Sequence, residues 1–181
     1  MIDRNFKYGD RVQLTDDKGK IYSITLPTGA EWHTNKAMLK HDDLVGLPEG
    51  SIVATNGELK FQIFRPLLAD YVLSMPRGAT IVYPKDAAMI LGMADIGPGV
   101  RVLEAGVGSG ALSISILRAI GENGFLHSVE IREDFAEISK KNVQSYFGVE
   151  PKNWQVTIGA VQDQKFEADF DRVILDMLSP W

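Results

Sequence analysis

The chain has 181 residues, of which 45% are apolar and 24% charged, with a net charge of −5 and no cysteine. That length and balance suit one large globular domain or two small ones with buried cores. The lack of thiols excludes disulfides and thiolate metal sites and fits a reducing, cytoplasmic setting. No apolar run is long enough to cross a bilayer, and the start, M-I-D-R-N-F-K-Y, carries no secretory h-region. His33, His41 and His127 are scattered without metal-ligand spacing, so no metal and no membrane are expected. Residues 1–68 hold nine Lys/Arg against nine Asp/Glu, and the remainder ten against fifteen. Bulk charge therefore argues mildly against a nucleic-acid partner, unless a local patch or several subunits together hold it.

Residues 1–65 have the pattern of a small β-barrel-like domain. Y-G-D-R-V-Q-L-T and K-I-Y-S-I-T-L partly alternate around the turn D-D-K-G. S-I-V-A-T and E-L-K-F-Q-I-F flank Asn56-Gly57, a strong signal for a two-residue hairpin turn. The stretch H-T-N-K-A-M-L-K-H-D-D-L-V-G between them has no clear period. Lys18, Lys20, Lys36, Lys40 and Lys60 are candidates for phosphate contact, although scattered lysines are more often simply solvated.

Residues 66–181 change character. P-L-L-A-D-Y-V-L-S-M and P-K-D-A-A-M-I-L-G-M read as short helices. R-V-L-E-A is a strand, A-L-S-I-S-I-L-R-A-I a helix apolar nearly all round, and F-L-H-S-V-E a second strand. E-D-F-A-E-I-S-K-K-N-V-Q-S-Y-F is a helix ending at Gly148, followed by the strands W-Q-V-T-I and D-R-V-I-L-D. Such alternation implies parallel strands with crossover helices, an α/β, Rossmann-like sheet. Four strands are fewer than a doubly wound sheet usually carries. The expected domain is therefore incomplete, cut after its fourth strand, either as a fragment or as an unusually short member of its class.

The candidate site follows the first of these strands, at Glu104-Ala105-Gly106-Val107-Gly108-Ser109-Gly110-Ala111. Glycines allow a tight turn and leave no Cβ between backbone and ligand, and the next helix offers free N–H groups. Gly106, Gly108 and Ala111 satisfy the dinucleotide spacing G-x-G-x-x-G/A, with Glu130 about twenty residues on, where a ribose-binding acid belongs. Glu104 would sit badly beside a pyrophosphate but suits an ammonium or sulfonium, as in S-adenosylmethionine; otherwise it caps the loop itself. The fourth strand ends in D-M-L-S-P-W. Methyltransferases acting on amino groups or ring nitrogens place an acidic or amide Pro-aromatic motif there, at the crevice where open α/β sheets bind ligands.

L-E-A-G-V-G-S-G-A-L, Y-P-K-D-A-A and V-I-L-D-M-L-S-P-W, together with H-D-D-L-V-G, R-P-x-x-x-D-Y-V-L-S-M and R-G-A-T-I-V-Y-P-K-D, resemble the tRNA (adenine-58-N1)-methyltransferases of the bacterial and archaeal type. The likeness runs from about Gly9 to Trp181. It implies an S-adenosylmethionine-dependent enzyme, a small N-terminal β domain before a Rossmann-like catalytic domain, and homotetramers binding tRNA across subunits. By the same resemblance Gly106, Val107, Gly108, Ser109, Gly110 and Ala111 line the methionine end of the cofactor. Glu130 accepts from both ribose hydroxyls, Phe135 contributes to the pocket, Asp176 is the active-site carboxylate, and Tyr83 lines the entry for the base. The family usually carries an acid for the adenine amino group where this chain has Ala160 in G-A-V, with Asp163 three residues on. Two other readings stand beside this one: an NAD-dependent oxidoreductase using Gly106, Gly108, Ala111 and Glu130, and a non-catalytic, methyltransferase-like RNA-binding or partner subunit.

Overall fold

The computed structural model describes residues 5–35, 37–56, 59–166 and 169–178. The chain divides into two compact units, residues 1–67 and 68–181.

The first unit is antiparallel. Strands β1 (Arg11–Thr15), β2 (Ile21–Thr25), β5 (Ile52–Ala54) and β6 (Lys60–Phe64) form a sheet in the order β2-β1-β6-β5, and β3 (Glu31–Thr34) pairs with β4 (Ala37–Lys40) in a separate hairpin. Among the described residues the ladder is thus two sheets, not one closed barrel. The stretch without a clear period is that hairpin and a 3-10 turn over His41–Asp43. Alternation buries Val12 and Leu14 on β1 and Phe61 and Ile63 on β6 around Phe6, Leu26, Leu39 and Leu44. Tyr22, Trp32 and Phe61 meet edge to face at the margin of this core.

Asn56 behaves differently from a turn residue. Ala54 pairs with Lys60, and Thr55 N–H donates to Leu59 O at 2.9 Å. That register pairs Thr55 with Leu59, and the expected Asn56-Gly57 turn falls partly outside the described residues. Asn56 is drawn to β4 instead: its Oδ1 accepts from Met38 N at 2.9 Å and its own N–H donates to Met38 O at 3.3 Å. Gly57 itself lies outside the described residues, as does Lys36. Lys18, Lys20, Lys40 and Lys60 are exposed, and the Lys20 ammonium sits 4.8 Å from the Tyr22 ring centre.

The second unit holds α1 (Leu68–Ser74), α2 (Pro84–Met93), β7 (Arg101–Ala105), α3 (Ala111–Ile120), β8 (Phe125–Glu130), α4 (Glu133–Phe147), β9 (Trp154–Ile158) and β10 (Arg172–Leu175). Its sheet is wholly parallel, in the order β10-β7-β8-β9. The chain builds outward from β7 to β9, then returns to the other side of β7, so the strand order reverses beside the glycine loop. Pro84 starts α2 because its missing N–H would be unpaired there in any case. Helix α3 is buried along almost its whole length, as its continuous apolar surface requires. Gly148, in the left-handed conformation, closes α4.

Leu175, Ala105, Val129 and Thr157 stand level across the sheet. The residues just beyond that row form its carboxyl rim, and backbone bonds carry the ladder onto it. Asp176 N–H donates to Ala105 O at 2.8 Å, Gly106 N–H to Val129 O at 2.9 Å, and Gly159 N–H to Glu130 O at 2.9 Å. This rim is where ligands bind in open α/β sheets.

Candidate active site

A cavity of about 750 Å³ lies along the rim, a size suited to a nucleotide-sized ligand. Gly106 and Gly108 line it from the loop after β7, Glu130 and Ile131 from β8, Gly159 to Gln162 from β9, and Asp176 to Leu178 from β10. Phe135 of α4 and the pair Ala79 and Thr80 complete the wall.

Close approach fixes the glycines. A Cβ on Gly106, which has φ +89°, would overlap the Asp176 carbonyl oxygen. Glycine there lets β7 and β10 bring their ends together, and a side chain would push the carboxylate out of place. Gly78 is equally constrained, since a Cβ would come within 2.7 Å of Ile138 Cδ1 and 2.8 Å of Phe135 Cδ1.

Glu130 is only 6% exposed and is held by the backbone. Its Oε2 accepts from Gly108 N–H at 2.9 Å and its Oε1 from Arg132 N–H at 3.0 Å. Each carboxylate oxygen has a further lone pair, so the group can still accept from two neighbouring hydroxyls. Arg132 is turned elsewhere: its guanidinium stacks 3.8 Å from the Phe135 ring centre and pairs with Asp134. The cavity wall therefore carries two acids, Glu130 and Asp176, and no Lys or Arg among the described residues.

Not every expected residue faces this space. Gly106, Gly108, Glu130, Phe135, Ala160 and Asp176 line it, whereas Glu104, Val107, Ser109, Gly110, Ala111 and Tyr83 do not. Val107 and Ala111 belong to the hydrophobic core. Gly110 is the left-handed N-cap of α3, and a Cβ on it would press on Ser139. Ser109 acts on the wall from behind: its Oγ accepts from Gly78 N–H at 3.3 Å and Ala79 N–H at 3.4 Å and donates to Ala79 O at 3.2 Å. Asn142 Nδ2 adds bonds to Pro76 O at 2.8 Å and Ser109 O at 2.9 Å. Together they moor the segment carrying Ala79 and Thr80. Tyr83, 47% exposed, precedes α2. Asp163 lies in a 3-10 turn, Val161–Asp163, and is absent from the wall, while Gln162 is part of it.

Glu104 points into the sheet. It is 0% exposed, and its Oε2 accepts from Ser113 Oγ at 2.7 Å and Ser128 Oγ at 2.6 Å. Ser128 in turn accepts from Trp154 Nε1 at 2.9 Å. Glu104 Oε1 has no partner among the described residues. Burial, with smaller contributions from the charges of Asp176 and Glu130, raises this carboxyl to about 7 against the pull of its two serine donors. Burial also raises the Asp176 carboxyl above its ordinary value.

Sequence reasoning missed Ala79, Thr80, Val129, Ile131, Gly159, Val161 and Gln162 as parts of the wall. Position relative to a strand end was the available signal for Ile131 and Gly159, each one residue past its strand. Ser179, Pro180 and Trp181 of the terminal hexapeptide lie outside the described residues. No helix among the described residues is long and apolar enough to cross a membrane, and no metal-binding group of His, Cys, Asp or Glu occurs among them.

Two family models match the chain: TrmI-like N-terminal over residues 5–53, and the tRNA methyltransferase complex GCD14 subunit over residues 63–181. The tRNA (adenine(58)-N(1))-methyltransferase TrmI of Thermus thermophilus is 37% identical over 93% of this chain and 66% of its own length. Among solved structures, the SAM-dependent O-methyltransferase of Thermotoga maritima superposes with a TM-score of 0.88 at 29% identity, over 100% of this chain and 67% of that one. The tRNA (m1A58) methyltransferase TrmI of Aquifex aeolicus gives 0.75 at 28% identity, over 94% of this chain and 66% of that one. The chain thus spans about two thirds of the length of these relatives.

Proposed function

The chain belongs to the family of the tRNA methyltransferase complex GCD14 subunit, and from that membership we propose that it transfers a methyl group from S-adenosylmethionine to N1 of adenine 58 in tRNA. The observation that carries the reading is the charge of the cavity, whose wall has two carboxylates and no Lys or Arg among the described residues. Such a wall repels a pyrophosphate and favours a ligand bearing a sulfonium and an ammonium. That is also what separates this reading from a dinucleotide oxidoreductase.

The residues present fit the methyl donor. Glu130, already fixed by two backbone N–H groups, is an acceptor for a ribose diol, and Gly106 and Gly108 leave room for the backbone to approach the methionine portion. Phe135 and Ile131 supply apolar wall. Val107, Ser109, Gly110 and Ala111 serve it at one remove, by fixing the loop, and Glu104 does so by tying α3 to β8. When bound, the cofactor supplies an electrophilic methyl carbon. Adenine N1 is already a lone-pair nucleophile, so the main task of the protein is alignment.

Asp176 holds the key polar position. Its backbone is locked to Ala105 and its carboxylate borders the cavity, from where it accepts a hydrogen bond from the adenine N6 amino group and favours loss of its proton after transfer. Tyr83 stands at the base entry, where an exposed ring can stack on an extruded base. The partner is tRNA, the assembly a homotetramer and the setting cytoplasmic. The test is transfer of labelled methyl from S-adenosylmethionine to an unmodified tRNA transcript and to one with guanine at position 58. Label in the first alone is expected; equal label in both, or none in either, contradicts the proposal.

A further inference from the structure

Three acids share one face of the parallel sheet. Ile174, Glu104 and Ser128 stand level on β10, β7 and β8. Asp176 and Glu130 lie two residues further along, at the rim and with the same facing, roughly 7 Å away in the strand direction. Glu104 thus sits one step beneath a cavity whose wall carries the other two carboxylates, and it is itself 0% exposed and absent from that wall. Its hydrogen bonds leave either protonation state incompletely paired. The Trp154 indole N–H donates to Ser128 Oγ, which leaves the Ser128 hydroxyl proton for Glu104 Oε2. Ser113 donates to that same oxygen. Oε1 has no partner among the described residues. A proton on Oε1 finds no acceptor there, and a bare Oε1 finds no donor.

We propose that Glu104 is a buried charge sensor that makes the cavity prefer the cationic methyl donor over its thioether product, a role that rests on the methyl-donor reading above. S-adenosylmethionine carries a sulfonium that S-adenosylhomocysteine lacks. Asp176 and Glu130 oppose a third negative charge beneath them, and together with burial they leave the Glu104 carboxyl at about 7, half protonated in neutral solution. A cation in the cavity offsets that repulsion. Glu104 then loses its proton to solvent when the donor binds, and its new charge adds to the attraction. The product, with no charge on sulfur, leaves Glu104 protonated. The other charged groups on the surrounding elements are turned away. Arg101 and His127 project to the opposite face, onto Phe125 and Thr157. Arg172 is bound to Ala94 O and Asp95. Lys85 and Asp86 of α2, Arg118 of α3 and the charged residues of α4 are exposed.

The test is titration calorimetry of the wild type, E104Q and S113A with both ligands, in buffers of different ionisation enthalpy. For a roughly tenfold gain in Glu104 acidity on donor binding, the wild type releases roughly 0.4 of a proton per S-adenosylmethionine at pH 7 and almost none per S-adenosylhomocysteine. Its preference for the donor should then rise about fourfold from pH 6 to about 7.5. E104Q keeps an acceptor for both serines but cannot ionise, so both effects should vanish in it. S113A removes one donor from Oε2 and should move the midpoint of the release to higher pH. No release in the wild type, equal release in E104Q, or an unmoved midpoint in S113A overturns the role of Glu104 while leaving the cofactor in place. Failure of the wild type to bind either ligand removes the methyl-donor reading, and this inference with it.

Discussion

The centre and the edge of the parallel sheet are built on different terms. At the centre, β7 and β8 are buried almost throughout, and their acids are enclosed: Glu104 within a serine–tryptophan network and Glu130 between two backbone donors. At the edge, β10 alternates between half-buried and exposed residues, and among the described residues its acid, Asp176, is tied through its backbone alone. On the proposed function the centre would hold the cofactor in one place, and the edge would leave a carboxylate accessible to a second molecule, as group transfer between two substrates requires.

The largest expected effect is at the edge. D176A should lower methyl transfer by about a thousandfold, within the range for losing a positioned proton acceptor, while S-adenosylhomocysteine binding stays close to wild type. Comparable losses of binding and turnover would move Asp176 from the reacting side to the binding side. At the centre, the prediction concerns pH. The Glu104 carboxyl is raised from 4.5 to about 7 in the folded chain. Between those values the native state keeps a proton that the unfolded state has lost, so stability falls as pH rises through that window and levels off above it. The fall is roughly 3 kcal/mol, and E104Q should flatten it in melting curves recorded from pH 4.5 to 8. An unchanged slope would show that Glu104 is not the group responsible.

A smaller effect is expected from E130A, which should weaken S-adenosylhomocysteine by about 30-fold through loss of two charge-assisted acceptors. Its comparison with D176A sharpens the division: binding lost at the centre, turnover lost at the edge. The smallest is S109A, which removes the hydroxyl that moors Gly78 and Ala79 and should cost ~1 kcal/mol of stability, read as a modest drop in melting temperature.

The same contrast explains what the sequence could reveal. The α/β alternation was legible from Arg101 onward, because short strand-like segments alternate with helix-length ones and α3 is apolar nearly all round. Glu130, Gly106 and Gly108 were legible as neighbours on one rim, because a glycine loop after one strand and an acid at the end of the next have a recognisable spacing. The rest of the wall was not, since Ile131, Val161 and Gln162 are placed by strand register and carry no motif of their own. Glu104 misled for a physical reason. A strand-end acid beside a glycine loop can face the ligand or the sheet, and only the pairing with Ser113 and Ser128 decides which. Asn56 likewise has a partner that the sequence does not announce, since its Oδ1 accepts from Met38 N.

Parallel titration with S-adenosylmethionine and NAD tests most directly whether this acid-lined cavity is a methyl-donor site. Saturable heat with S-adenosylmethionine and none with NAD is the expected result, since Glu130 and Asp176 line the cavity with no Lys or Arg beside them among the described residues. Binding of NAD without binding of S-adenosylmethionine would contradict the account at its foundation.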